Sequence, residues 1–156
     1  MKFTSTRNPK LEAGVTEALE AGLAPDGGLY VPTTLPRFDP GAFRADISLA
    51  ECATQVLAPF FDGSMLAARI DAICRDALDL PLRIEPLQPM EAIGATDRDA
   101  PAWMMELFHG PTAAFKDFAA RFLARSLRAL RSETSPQSTV LVATSGDTGA
   151  AVAAAF

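Results

Sequence analysis

The sequence predicts an α/β protein, with an N-terminal helical cap over residues 1–80 followed, over 81–156, by the start of a parallel sheet with flanking helices. Three observations predict it. Residues 48–78 carry two amphipathic helical patterns, the first opened by a capping box. From Pro81 onward the order strand, loop, helix, strand, loop, helix replaces them, which is the signature of a parallel α/β unit. The run Thr139-Val140-Leu141-Val142-Ala143 is β-branched and apolar throughout, as a strand buried on both faces requires.

The elements follow in order. Phe3-Thr4-Ser5 has the composition of a short strand, and a helix is expected over Val15 to Ala21. Gly22 suits its C-terminal cap, where glycine tolerates the left-handed conformation. Ala24-Pro25-Asp26-Gly27-Gly28 is a strong turn signal. Leu29-Tyr30-Val31 then reads as a strand ended by Pro32, and Thr33 to Pro40, with prolines at 36 and 40, as an irregular connector.

In Ser48-Leu49-Ala50-Glu51 the serine and glutamate can satisfy each other's backbone N–H groups at a helix start. Leu49, Ala53, Val56, Leu57 and Phe60 then form one apolar stripe, and Asp62-Gly63 ends it. A second helix is expected from about Ser64 to Leu78, with Leu66, Ile70, Ile73, Cys74 and Ala77 inward. Beyond it, Leu82 to Leu87 alternates like a strand, Gly94 to Pro101 is a polar loop, and Ala102 to Phe108 is a second strand. His109-Gly110-Pro111-Thr112 is a turn. The pattern from Phe115 to about Arg131 is an amphipathic helix with Phe115, Phe118, Phe122, Leu123, Leu127 and Leu130 inward. Thr144 to Gly149 is a polar glycine loop before a last helix, inside which the sequence stops; a piece of a longer protein is the expectation.

Composition narrows the classes of function. Of the 156 residues, 49% are hydrophobic and 21% charged, as in globular proteins. A net charge of −5 and the lack of a basic run argue against nucleic-acid binding. Arg121, Arg125, Arg128 and Arg131 share helical spacing and read as a solvated face. Cys52 and Cys74 form no Cys-x-x-Cys pair, and His109 is the only histidine, so no zinc site is expected. Two buried free thiols in a reducing compartment are the simple account. With no secretory signal and no apolar run able to cross a bilayer, a soluble, cytoplasmic protein is expected.

Two constellations carry chemistry. In His109-Gly110-Pro111-Thr112-Ala113-Ala114-Phe115-Lys116-Asp117-Phe118, a lysine stands at a helix start among apolar neighbours. Lys2, Lys10 and Lys116 are the only lysines. Apolar surroundings and the positive end of the helix dipole favour the free amine, the form that attacks an aldehyde. Equally, lysines are common in first helical turns, and Asp117 beside it can simply offset the charge.

The second constellation is Ala143-Thr144-Ser145-Gly146-Asp147-Thr148-Gly149. Backbone N–H groups at such a turn, the following helix dipole and the hydroxyls of Thr144, Ser145 and Thr148 can hold a carboxylate or phosphate. Gly146 and Gly149 permit close backbone approach. A plain capped turn, with Asp147 or Thr148 as the N-cap, stands beside that reading. The segment is neither a P-loop nor a dinucleotide fingerprint.

Taken together, Phe108 to Phe118 and Ala143 to Val152 resemble the threonine synthase family. Ser5-Thr6-Arg7 and Gly22 to Pro32 resemble the same family's N-terminal region, so the resemblance spans nearly the whole chain. It implies fold type II of the pyridoxal 5'-phosphate (PLP) enzymes, the tryptophan-synthase-β type, here truncated. It also implies conversion of O-phospho-L-homoserine and water to L-threonine and phosphate. Lys116 matches the lysine that holds the cofactor, with Phe115 and Asp147 as further cofactor contacts. Thr144, Ser145, Gly146 and Thr148 match the loop that holds the substrate's α-carboxylate. His109 is expected beside the site, and Arg7 in a structural ion pair, with approach to the substrate's phosphate as the alternative. The cradle for cofactor phosphate is expected later in a full-length chain, so residues 1–156 alone are expected to be inactive. A related fold-type II phospho-lyase, a cysteate-synthase-like enzyme and a non-catalytic interaction module are the alternatives, and monomer and homodimer both stay open.

Overall fold

The structure is a computed structural model that describes residues 1–86, 102–132, 134–144 and 146–156. It opens with a small sheet of three strands, β1 (Lys2–Ser5), β2 (Glu12–Gly14) and β3 (Tyr30–Pro32), in the order β2-β1-β3 with both pairings antiparallel. Pro32, expected only to end its strand, pairs with Phe3 at the edge, where a missing N–H costs no ladder bond. The Asp26 turn forms as expected, with Gly27 N–H donating to Ala24 C=O at 2.8 Å and Gly27 at φ 76°. The strand at Glu12–Gly14 was not legible, because three residues are too few to show alternation.

Helix α1 (Val15–Ala21) ends at Gly22, whose φ is 70°. α2 (Leu49–Phe61) begins with the full capping box: Ser48 Oγ accepts from Glu51 N–H, and Glu51 Oε2 accepts from Ser48 N–H at 3.1 Å. It ends at Asp62, and Gly63 turns the chain with φ 72°. The next helix is shorter than its apolar pattern. One 3-10 turn, Ala67–Arg69, leads into α3 (Ile70–Ala77). All five residues expected inward, Leu66, Ile70, Ile73, Cys74 and Ala77, are buried, joined by Val15, Phe61 and Leu78 in one core.

The N-terminal eighty residues are therefore mixed rather than purely helical, since the antiparallel sheet belongs to them. They also share their core with the second half of the chain. Phe118, Phe122 and Leu130 of α4 (Lys116–Leu130) pack on it, and Phe122 meets Phe61 edge to face at 5.9 Å.

The second half differs from expectation in its strands. β4 (Arg83–Pro86) and β5 (Trp103–Glu106) pair antiparallel. The sequence pattern places no helix between them, and a parallel pair needs such a crossover. Thr139 to Ala143 takes no regular secondary structure and pairs with no strand among the described residues, and Leu141 is 90% exposed. Its β-branched residues favour extended backbone, yet a strand exists only beside a neighbour that takes its hydrogen bonds. Leu87 and the loop expected over Gly94 to Pro101 lie outside the described residues. The last helix is α5 (Asp147–Ala155), packed along α4.

The arginine stripe on α4 is not simply a solvated face. Arg121 Nε donates to Ala77 C=O at 2.7 Å and its Nη2 to Asp76 C=O at 3.0 Å, closing the last turn of α3. Arg125 donates to Ala155 C=O at 2.9 Å at the end of α5 and pairs with Asp76 at 3.3 Å. Helix C-termini leave carbonyls without intrahelical partners, and a guanidinium supplies donors in a fixed fork. Arg128 and Arg131 are exposed as expected.

Candidate active site

Lys116 is the first residue of α4 and is half-buried. Its Nζ lies over the Phe115 ring, 4.5 Å from the centroid, a cation–π contact that directs the stem. Phe115 itself is 61% exposed rather than inward, because it sits at the N-cap, before the helical face that meets the core. Leu123 likewise lies at the rim, exposed.

The turn that delivers Lys116 is tightly determined. Ala113 N–H donates to Gly110 C=O at 3.1 Å, and Ala113 has φ 56°. That left-handed conformation is uncommon for alanine. Asp117, 1% exposed, does not pair with Lys116. Its carboxylate turns back to Thr112, accepting from the backbone N–H at 2.9 Å and from Oγ1 at 2.6 Å. The reading of Asp117 as a mere charge offset for its neighbour is thereby corrected. Gly110 is needed for this approach: a Cβ there would meet Asp117 Oδ2 at 2.4 Å. Just before the turn, His109 Nε2 and Glu106 Oε2 are 2.6 Å apart, and the imidazole packs against Phe108 at 4.6 Å.

The second constellation opens α5. Gly146 is its N-cap and Asp147 its first residue, so neither Asp147 nor Thr148 caps the helix. Gly146 N–H donates to Thr144 Oγ1 at 3.3 Å, and Gly149 N–H to Gly146 C=O at 3.0 Å. A Cβ on Gly149 would fall 2.5 Å from Thr144 Cγ2, so the loop closes only around glycine. Thr144, Gly146, Asp147 and Thr148 are exposed. Ser145 lies outside the described residues.

Each constellation stands at a helix start, Lys116 opening α4 and Asp147 opening α5, and the two helices pack together. The far halves of α4 and α5 meet where Arg125 bonds Ala155, and Arg131, just past α4, bonds Ser138. A groove there is lined by Ala124, Arg128, Ser138, Val140, Ala155 and Phe156. The two constellations offer a primary amine on a fixed turn and an exposed helix start able to hold an anion. This donor set fits PLP, an aldehyde with an acidic ring oxygen.

Arg7 makes no ion pair among the described residues. Its Nη1 donates to Asp26 C=O at 3.0 Å, holding the Gly27 turn rather than facing either constellation. The Asp117–Thr112 bonds, the Glu106–His109 pair and the capping role of Arg121 and Arg125 were missed in the sequence. An acidic residue in a first helical turn, five residues after a threonine, is compatible with the first but does not signal it, since only the fold shows Asp117 buried and turned back.

The matches to known proteins agree with this arrangement. A family model described as the threonine synthase N terminus matches residues 2–78. The chain is 36% identical over 156 residues to a threonine synthase of Haemophilus influenzae, covering all of this chain and 34% of the relative. It is 37% identical over 153 residues to one of Pseudomonas aeruginosa, covering 97% of this chain and 31% of that protein. Among solved structures, a PLP-bound threonine synthase from Brucella melitensis superposes with TM-score 0.79 at 39% identity, covering 100% of this chain and 33% of that one. Threonine synthase from Escherichia coli gives TM-score 0.80 at 30% identity, with 100% and 34% covered. The chain spans about a third of the length of the curated relatives it matches.

By fold, it is a mixed α/β chain of the kind that begins these PLP-dependent enzymes. It belongs to the threonine synthase family.

Proposed function

We propose that the chain is the N-terminal part of a cytoplasmic, PLP-dependent threonine synthase that converts O-phospho-L-homoserine and water to L-threonine and phosphate. The observations that support this reading are an amine on a clasped turn at the start of α4 and a glycine and hydroxyl loop at the start of α5, on two helices that pack together. Residues 1–80 serve as the cap, and 81–156 begin the PLP-binding α/β domain. The acidic balance of the chain, net −5, suits a small-molecule substrate rather than nucleic acid. No helix among the described residues is long and apolar enough to cross a membrane.

In this reading Lys116 holds PLP covalently, and Phe115 packs beside the lysine stem. Asp147, at the start of α5, would be a further contact to the cofactor. The hydroxyls of Thr144, Ser145 and Thr148, with the backbone N–H of Gly146, hold the substrate's α-carboxylate at the helix start. When bound, PLP supplies the electron sink for charge developing on the substrate carbons. The Lys116 amine, when free, would act as the base that takes the substrate's α proton. Fixing the carboxylate keeps the breaking bonds aligned throughout, which is where orientation lowers the barrier.

The test is Lys116→Ala in the full-length protein. The wild type should carry PLP on the Lys116 peptide after borohydride reduction, and should release phosphate together with threonine. The variant should do neither. A variant that keeps covalent PLP elsewhere with full turnover would remove Lys116 from its role. Phosphate release without threonine would assign the chain to a related lyase instead.

A further inference from the structure

We propose that Asp117, through its two bonds to Thr112, is a positioning residue that aims the Lys116 amine; this rests on Lys116 being the residue that holds the cofactor. Four features of the Gly110 to Asp117 turn converge on that assignment. Asp117 is buried, and neither of its oxygens is paired with a cation among the described residues. Burying a carboxylate is costly unless hydrogen bonds answer it, and both bonds found here go to one residue, Thr112.

The second feature is Gly110, which must lack a side chain for the carboxylate to fit. Third, Ala113 is held at φ 56°, a conformation alanine keeps only where its surroundings determine it. Finally, Phe115 caps α4 without any side-chain hydrogen bond, so the usual fastening of a helix start is missing. The clasp from Asp117 to Thr112 takes its place, and it closes around the residue that carries the amine. Helix α4 needs no such device for stability alone, since Phe118, Phe122 and Leu130 already anchor it to the core.

Lysine has a flexible four-carbon stem, so its amine is only as well placed as its Cα and the contacts along the stem. The clasp fixes the Cα, and the Phe115 ring guides the stem. Loosening the clasp should therefore lower the effective concentration of the amine at the cofactor aldehyde without changing which groups bind substrate.

The experiment uses the full-length protein stripped of cofactor, in wild type, Thr112→Ser, Thr112→Val and Asp117→Asn. PLP is added, attachment is followed by near-visible absorbance, and the attached position is found by borohydride reduction and peptide mass. Serine keeps the hydroxyl donor and should attach PLP within about twofold of the wild-type rate. Valine keeps the shape but loses the 2.6 Å bond and should be about tenfold slower, as small misplacements of reacting groups are. Asp117→Asn should be slower still. In turnover, kcat should fall in the valine variant while KM for O-phospho-L-homoserine stays within about threefold.

Equal attachment rates for serine and valine variants, with only the melting temperature lowered, would make the clasp purely structural and overturn the proposal. If the asparagine variant does not fold, the serine and valine pair still decides. A wild-type adduct on a residue other than Lys116 would fail the functional reading itself, and the positioning role would fall with it. That outcome is told apart by the mass of the labelled peptide.

Discussion

At the scale of single residues, the side chains that matter most are small or acidic ones closing turns. Ser5 Oγ donates to Asp26 at 2.7 Å, and Gly28 N–H donates to the same carboxylate at 2.9 Å. The Gly28 N–H, then the Ser5 hydroxyl, hold Asp26 below the ordinary carboxylate range. Since the folded value is the depressed one, this stabilisation is complete above the unfolded value, about 3.9, and is lost as pH falls through the lower folded one. Ser5→Ala should raise the Asp26 pKa in an NMR titration and lower stability above about pH 4, a deficit that fades as pH falls below it; an unmoved titration would remove the serine's part. Gly110→Ala sets a Cβ against the Asp117 carboxylate, and should destabilise by about 1–3 kcal/mol in urea denaturation. Ser126 is fully buried and its hydroxyl has no partner among the described residues, so Ser126→Ala should be neutral or raise stability by up to about 1 kcal/mol.

Elements whose cause is local were legible, and elements whose cause is a neighbour were not. The α2 capping box needs only Ser48 and Glu51, so the sequence shows it outright; Ser48→Ala should cost about 1 kcal/mol. Glu51, held low chiefly by the Ser48 hydroxyl and then its backbone N–H, adds an acid-sensitive part that fades as pH drops through its depressed value. The Leu66 to Ala77 stripe was equally plain, because its period survives the 3-10 turn before α3. Leu66 is wholly buried, and Leu66→Ala should cost about 3 kcal/mol. By contrast, β2 is three residues long, and its strand character comes from pairing with β1. The antiparallel register of β4 and β5 is a choice between partners that alternation alone does not make. The order of both constellations was legible, since each rests on glycines and hydroxyls at fixed offsets. The clasp beneath Lys116 was not, because only the fold reveals that Asp117 faces back toward Thr112.

For the whole molecule, the distribution of apolar surface sets what the 156 residues can do by themselves. Their core lies among α1, α2, α3 and α4, and serves both the cap and the helix that carries Lys116. The other side is different. Trp103, Met104 and Met105 of β5, Ile84 of β4, and Val140 to Val142 are all exposed. A strand this apolar on both faces belongs inside a sheet, and matched relatives are about three times as long as this chain. The polypeptide 1–156 should therefore fold its cap cooperatively while binding a hydrophobic dye such as ANS on its second half. It should also hold PLP poorly. It offers the amine and the α5 start, but the glycine-rich phosphate cradle implied by the family resemblance lies outside these residues. Titrated with PLP under conditions that saturate the full-length protein, it should show less than about a tenth of the covalent adduct on Lys116, because an amine without a bound partner works only at its bulk concentration. Stoichiometric attachment would mean that the clasped turn and the start of α5 suffice to bind the cofactor.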